Sequence, residues 1–123
     1  MKSLRTPILI VAIAYVVLLV TITHLPASTL PKTGVSDKTE HFLAYLLLTL
    51  LASAVSRVLT GRVRVLPVLI GVCVFGALDE ITQPPFNRVC DIRDWYADAS
   101  AATVGTLGAW AVSRRSKHAE SGK

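Results

Sequence analysis

The chain has 123 residues, which is enough for a single domain over 1–123 and no more. Apolar residues make up 52% and charged residues 17%, and the apolar residues come in blocks, which is typical of a membrane protein and argues against a soluble domain. The formal net charge is +5, but the basic residues are scattered singly around the blocks without a basic stripe or interleaved aromatics, which argues against nucleic-acid binding.

The first predicted element is a transmembrane helix over 7–23, preceded by Lys2 and Arg5. A secretory signal peptide also begins with basic residues followed by an apolar run. The residues after this run lack the small-x-small pattern of a cleavage site, so a retained helix is the favoured interpretation. Prolines and a glycine then predict a loop over 24–35.

The second predicted helix covers 38–59 and stops before Gly61. Ser36 is a candidate N-cap, and Asp37 with Glu40 three residues later is the alternative start.

The third predicted helix covers 65–82, with Pro67 in the first turn, where a missing N–H is tolerated. Pro84 ends it, because the residue before a proline is displaced from the helical region. The fourth predicted helix covers 94–112, a basic tail follows it, and the last residues of the chain are expected to fray. The predicted fold class is therefore all-α, a bundle of four transmembrane helices.

Basic residues are distributed unevenly among the connections. Nine lie at the N-terminus, around the turn between the second and third helices, and in the C-terminal tail: Lys2, Arg5, Arg57, Arg62, Arg64, Arg114, Arg115, Lys117 and Lys123. Four lie in the other two loops: Lys32, Lys38, Arg88 and Arg93. The positive-inside rule then predicts that both termini are cytoplasmic and that all acids but Glu120 lie on the outer side.

Polar residues at helical spacing mark the outer ends of three predicted helices. His41 lies near the start of the second, Asp79, Glu80 and Gln83 at the end of the third, and Asp94 at the start of the fourth. Asp98 lies one turn deeper than Asp94 on the same face, and the small residues Ala101, Gly105 and Gly108 continue that stripe. We therefore expect three helices to bring these groups to one depth, with Asp98 inside the bundle.

Several chemistries remain open for these groups. A hard divalent cation can be held by acids and an imidazole, the candidates being Asp79, Glu80, Asp94, Asp98 and His41. His41 and one carboxylate can instead form an acid–base pair. Arg88 with Lys38 and Gln83 can bind a lipid phosphate or pyrophosphate. The purely structural alternative is a clamp in which the loop arginines neutralise acids.

Arg88 is expected to be the main partner of Glu80 or Asp91, holding the turn at Asn87 over the cluster. No zinc motif, phosphate loop or Ser-His-Asp order occurs in the sequence, and no nucleophile with a base is evident. This favours binding over catalysis but leaves the enzyme question open.

Three ordered motifs resemble a known family. They are Asp37-Lys38-x-x-His41-Phe42-x-Ala44-Tyr45, Asp79-Glu80-x-x-Gln83-x-x-Phe86-x-Arg88, and Asp91, Asp94 and Gly105. Together they resemble the VanZ-like family of bacterial membrane proteins, which is linked to low-level teicoplanin resistance. The resemblance covers roughly Leu25 to Gly108.

The resemblance implies recurring polar positions at Asp37, Lys38, His41, Tyr45, Asp79, Glu80, Gln83, Arg88 and Asp94. Three positions depart from it: Asn87 and Ala101 stand where the family tends to have glycine, and Asp98 stands where it usually has asparagine. Asn87 is the mildest change, because asparagine also adopts left-handed turns. Asp98 adds an acid to the bundle.

The sequence thus predicts a multi-pass protein of the bacterial cytoplasmic membrane. Its predicted outer-face polar cluster comprises Asp37, Lys38, His41, Tyr45, Asp79, Glu80, Gln83, Arg88, Asp91, Asp94 and Asp98. The expected partner is a membrane lipid or lipid-linked cell-wall precursor, and the expected effect is lower glycopeptide susceptibility. The alternatives are a membrane hydrolase or transferase acting on a lipid-linked phosphate, and a structural membrane protein without a ligand.

Overall fold

The computed structural model describes residues 2–122 and every side chain among them except those of Lys2, His118, Glu120 and Ser121. Four α-helices form this part of the chain: α1 (Lys2–Thr23), α2 (Asp37–Thr60), α3 (Val65–Thr82) and α4 (Ile92–Ser121). Short 3₁₀ helices lie in two connections, at Ala27–Thr29 and Pro84–Phe86, and the described residues contain no β-strand. The predicted all-α fold class is confirmed.

Three of the four helices, α1, α2 and α3, are long and apolar enough to cross a membrane. Within the described residues, α4 does not meet the same requirement. Its first turns carry Asp94 and Asp98 and its last turns carry Arg114, Arg115 and Lys117, so its apolar part is short. The structure thus has the character of a membrane protein.

The helix at the centre of the packing is α2, which contacts α1, α3 and α4, while α4 also packs against α3. The buried apolar core comprises Leu19, Tyr45, Leu48, Val68, Val72, Ala101 and Ala102. Large apolar side chains also cover the outside, among them Ile13, Val17, Leu66 and Ile81. Such an exposed apolar surface is stable in lipid and unfavourable in water.

Local signals set the ends of α2 and α3. Ser36 is the N-cap of α2, and its side chain accepts a hydrogen bond from the backbone N–H of Thr39 at 3.3 Å. Gly61 ends the helix in the left-handed conformation with φ of 75°. The predicted bounds of α3 are confirmed, since that helix runs from Val65 to Thr82.

The predicted bounds of the outer helices were wrong at three ends. α1 begins at Lys2 instead of residue 7 and includes Pro7. The proline removes one backbone hydrogen bond near the start of the helix, and the helix continues through it. α4 begins at Ile92 with Asp91 as its N-cap, and it continues to Ser121 instead of ending near residue 112. The tail contains no proline, and no glycine before Gly122, and its alanine, arginine and lysine residues favour helix. Lys123, counted above among the inner basic residues, lies outside the described residues.

The bundle has two ends of opposite chemistry. At the acidic end, α1 and α3 finish while α2 and α4 begin. At the basic end, α2 and α3 are joined by the turn at 61–64, and the last turns of α4 lie beside that turn. Between these ends, only some of the small residues of α4 lie in close contact with a neighbouring helix. A Cβ on Gly105 would lie 3.0 Å from Thr49 of α2, whereas a Cβ on Gly108 would meet nothing within 4 Å.

Candidate functional site

Six polar side chains are buried together at the acidic end. We call them the acidic-end cluster: His41 from α2, Asp79, Glu80 and Gln83 from the end of α3, and Asp94 and Asp98 from α4. Asp98 is completely buried, as its depth one turn inside α4 predicted. Because buried carboxylates are costly without partners, each of these groups needs a donor or a counter-ion.

The centre of the cluster is the imidazole of His41. Its Nδ1–H donates to Oδ1 of Asp98 at 3.0 Å. Oε1 of Glu80 lies 3.7 Å from the same nitrogen, and Oδ2 of Asp94 lies 3.8 Å from Nε2. One imidazole therefore lies within 4.0 Å of three carboxylates from two helices. Among the described side chains, His41 is the hydrogen-bond partner of Asp98.

Neutral donors from three helices satisfy Asp79. The hydroxyl of Thr23 donates to Oδ1 at 2.7 Å, and the phenol of Tyr45 donates to Oδ2 at 3.1 Å. The amide of Gln83 lies 3.4 Å from Oδ2. Asp79 therefore joins the ends of α1 and α3 to the third turn of α2.

Glu80 connects the end of α3 to the start of α4. The backbone N–H of Asp91 donates to Oε2 of Glu80 at 3.3 Å, and the amide of Gln83 lies 3.5 Å from Oε1. The side chain thus fixes the loop that returns the chain to the bundle.

Lys38, at the edge of the acidic-end cluster, forms ion pairs with Asp91 and Asp94. Its Nζ donates to Oδ2 of Asp91 at 3.0 Å and also to Oδ1 of Asp94. The pKa of the Asp91 carboxyl lies below its ordinary value, first because the backbone N–H of Arg93 donates to it and then because the Lys38 ammonium stabilises its charge. Lys38 therefore ties the start of α2 to the start of α4.

The predicted pairing of Arg88 with Glu80 or Asp91 was wrong. Among the described side chains, no carboxylate lies within 4.0 Å of the Arg88 guanidinium, because Lys38 and backbone N–H groups already serve those acids. The turn before it is as predicted, with Asn87 in the left-handed conformation at φ 57°. Arg88 lines two neighbouring cavities, of about 110 Å³ beside His41 and about 340 Å³ beside Gln83 and Asp91.

Two overlapping sets of side chains could hold a metal ion. The ligand atoms of His41, Glu80 and Asp98 lie within 4.8 Å of one another, and so do those of Asp37, His41 and Asp94. Asp79, predicted as a candidate ligand, belongs to neither set, and its oxygens accept hydrogen bonds from Thr23 and Tyr45. Oδ2 of Asp98 is buried without a hydrogen-bond partner. Carboxylate oxygens with one imidazole suit a hard or borderline divalent cation.

Sequence reasoning missed the contribution of the first helix. Thr23 reaches Asp79, and Nε2 of the adjacent His24 lies 2.9 Å from the hydroxyl of Thr82 at the end of α3. The available signal was a polar pair directly after an apolar run that ends at the predicted outer face. Its partners could not be read from the spacing, because they lie on another helix.

Comparisons of the chain with protein-family models, curated proteins and solved structures find no match. The resemblance to the VanZ-like family stays a prediction, and the geometry of the acidic end carries the functional interpretation.

Proposed function

We propose that this chain is a multi-pass protein of the bacterial cytoplasmic membrane whose outer-face site binds the headgroup of a lipid or lipid-linked cell-wall precursor. The observation that supports this most is Arg88, a guanidinium without a carboxylate within 4.0 Å among the described side chains, at the wall of two cavities. A guanidinium in this state can form paired hydrogen bonds with a phosphate.

The larger cavity suits a headgroup that carries both signs of charge. Its wall combines Arg88 and the amides of Gln83 and Asn87 with the carboxylates of Asp37 and Asp91. A phosphate would lie against the guanidinium, and an amine would lie against the carboxylates. Aminated phospholipids and lipid-linked cell-wall precursors contain both groups.

The proposed topology has four membrane crossings, with both termini in the cytoplasm. The uneven distribution of basic residues supports it. For α4, the support is the burial of its acids against His41 and Lys38 of α2, which supplies partners for charges at membrane depth. Reporters fused after Lys123 and inserted at Arg62 should be cytoplasmic, and one at Thr33 should be external. A cytoplasmic reporter at Thr33 would overturn the topology.

The proposed family is VanZ-like, and binding of a cell-wall precursor at this site would lower teicoplanin susceptibility. The test expresses the full chain in a susceptible bacterium and measures the inhibitory concentration of teicoplanin. Arg88→Gln should abolish any protection, and Arg88→Lys should not restore it, because a point ammonium cannot reproduce the paired hydrogen bonds of a guanidinium.

The matched control is Arg93→Gln, which removes the same charge from the nearby first turn of α4, at a position that lines neither cavity. Full protection by Arg88→Gln would reject the headgroup site. Protection by Arg88→Lys equal to wild type would show that charge alone matters.

One observation favours a hydrolase or transferase acting on a lipid-linked phosphate as the second candidate. His41 lies within 4.0 Å of three carboxylates, an arrangement that can serve as an acid–base pair or with Glu80 and Asp98 as a cation site. Phosphate release from a lipid-linked pyrophosphate by the purified protein with Mn²⁺, lost in His41→Gln, would replace the binding proposal. A structural role would be favoured if the wild-type chain neither raises the inhibitory concentration of teicoplanin nor releases phosphate as a purified protein.

A further inference from the structure

Another polar cavity lies at the basic end, far from the acidic-end cluster. It has a volume of about 440 Å³ and lies between the 62–67 segment and the last turns of α4. The described residues of its walls include four cationic side chains and no acid: Arg62, Arg64, Arg114 and Lys117. We name it the basic cavity.

The four cations have no ion-pair partner among the described side chains. Among the described side chains, no carboxylate lies within 4.0 Å of any of them, since every ion pair of those side chains lies at the acidic end. Asp98, the acid of the acidic-end cluster deepest in α4, precedes Arg114 by sixteen residues, or ~24 Å along a helix. That distance exceeds the ~8 Å Debye length at physiological ionic strength. The positive charge of the cavity is therefore available to an external anion.

The start of α3 adds to the same field. Arg64 is the N-cap of α3 and its side chain makes no capping hydrogen bond, while Val65 and Pro67 of the first turn line the cavity. The positive end of the helix dipole and the first-turn N–H groups favour an anion there. This contribution supplements the four side chains and does not depend on them.

The remaining wall suits a lipid more than a free ion. Trp110 lines the cavity, and the Arg114 guanidinium lies 4.5 Å from the centre of its ring. Val63, Val65 and Pro67 provide apolar surface next to the cations. The cavity also lies where α2 ends and α3 begins, two helices that are apolar enough to cross a membrane. Tryptophan and basic side chains at such an end lie at headgroup depth.

We propose that the basic cavity binds the phosphate of an anionic phospholipid, with its acyl chains lying against the adjoining apolar helix faces. The inference is independent of the headgroup proposed for the acidic end, because the two sites share no residue. The arginines bind the phosphodiester oxygens, and Trp110 holds one guanidinium in place by stacking.

The test uses the full chain in nanodiscs made of phosphatidylcholine with a minor fraction of phosphatidylglycerol. Native mass spectrometry then measures how many molecules of each lipid stay bound. Wild type should retain phosphatidylglycerol in preference to phosphatidylcholine. The double variant Arg64→Gln/Arg114→Gln should lose that preference by about 30-fold, as expected for two cations near a membrane surface.

The matched control is Arg5→Gln/Arg115→Gln, which removes the same charge from exposed positions that do not line the basic cavity. It should keep the wild-type preference. An equal loss in both double variants would show that net charge attracts the lipid, and it would overturn the site.

Two further measurements complete the test. Lys117→Glu, an exposed charge reversal in α4, should also lower phosphatidylglycerol retention while circular dichroism stays unchanged. Retention at the wild-type level in this variant would contradict the proposal. Displacement of the lipid by inorganic phosphate at millimolar concentration would identify a free anion as the ligand and overturn the phospholipid assignment.

Discussion

The two ends of the bundle treat charge in opposite ways. At the acidic end, carboxylates are buried and find partners within the protein, with His41 lying within 4.0 Å of three of them. At the basic end, the cations line an open cavity, and none of them has a carboxylate within 4.0 Å among the described side chains. Charge at the first end therefore holds the helices together, and charge at the second is available to the surroundings.

The difference follows from the types of side chain. Short aspartates on helix faces cannot reach water from inside the bundle, so they persist only with donors beside them. Arginine and lysine have long stems and place their charge at the membrane surface while the stems cover apolar atoms. The comparison predicts that substitutions at the acidic end change stability far more than those at the basic end.

The largest effect is expected at Asp98. Asp98→Leu leaves the Nδ1–H of His41 buried without its acceptor, at a cost of about 3 kcal/mol in the free energy of unfolding. Asp98→Asn should cost much less, because its amide oxygen can accept the same hydrogen bond. Unfolding of both variants in SDS-containing mixed micelles measures the difference. If Asn proves as damaging as Leu, the charge itself is needed, and a cation bound by His41, Glu80 and Asp98 becomes the better interpretation.

A smaller loss is expected for Tyr45→Phe, which removes the phenol donor from Oδ2 of Asp79. Thr23 still donates to Oδ1, so the expected cost is about 2 kcal/mol, that of a hydrogen bond to a charged group. The control is Tyr15→Phe, whose phenol donates at 2.7 Å to the half-buried carbonyl of Ala44 and should cost about 1 kcal/mol. Equal losses in the same unfolding assay would show that the buried carboxylate adds nothing to the tyrosine bond.

The pH dependence of Asp91 should be weaker still, because this ion pair lies near the surface. A pKa below the ordinary value means that Asp91 stabilises the fold above that value, about 3.9, and ceases to do so as the pH falls through the folded pKa. Asp91→Asn isolates the charge, since asparagine remains a good N-cap for α4. The difference in the free energy of unfolding between wild type and Asp91→Asn should be constant near neutral pH. It should decrease as the pH falls below about 4. A gap that persists unchanged at pH 3 would contradict the ion-pair contribution.

The smallest effect is expected at the basic end. In a neutral detergent, Arg64→Gln and Lys117→Gln should each change the free energy of unfolding by less than about 0.5 kcal/mol, because both side chains are exposed and unpaired among the described side chains. A loss comparable to that of Tyr45→Phe would remove the contrast between the two ends.

Sequence patterns were sufficient for the helices wherever a local signal marked an end. Gly61 and Pro84 are such signals, and the predicted end of the second helix and both bounds of the third lie within one residue of the structure. The end of α4 was missed because nothing after Val112 stops a helix before Gly122. The end of an apolar run predicts where a membrane-spanning segment ends, and the helix itself can continue beyond that point.

Within the candidate site, spacing along one helix was predictable and partners between helices were not. The stripe of Asp94, Asp98 and Ala101 gave the buried face of α4 correctly. That Lys38 instead of Arg88 pairs with Asp91 could not be predicted from the sequence, because the pairing depends on how α2 is rotated against α4. Both arginine and lysine were present in the sequence, and packing decided between them.

The polar character of α4 also bears on how the protein is made. A helix that starts with Asp94 and Asp98 and is too polar to qualify as a membrane span does not partition into lipid readily by itself. Its partners His41 and Lys38 belong to α2, which is synthesised earlier. In the proposed topology, α4 therefore inserts into the bilayer beside His41 and Lys38 of α2, which are already in place. Insertion of α4 then depends on the earlier insertion of α2.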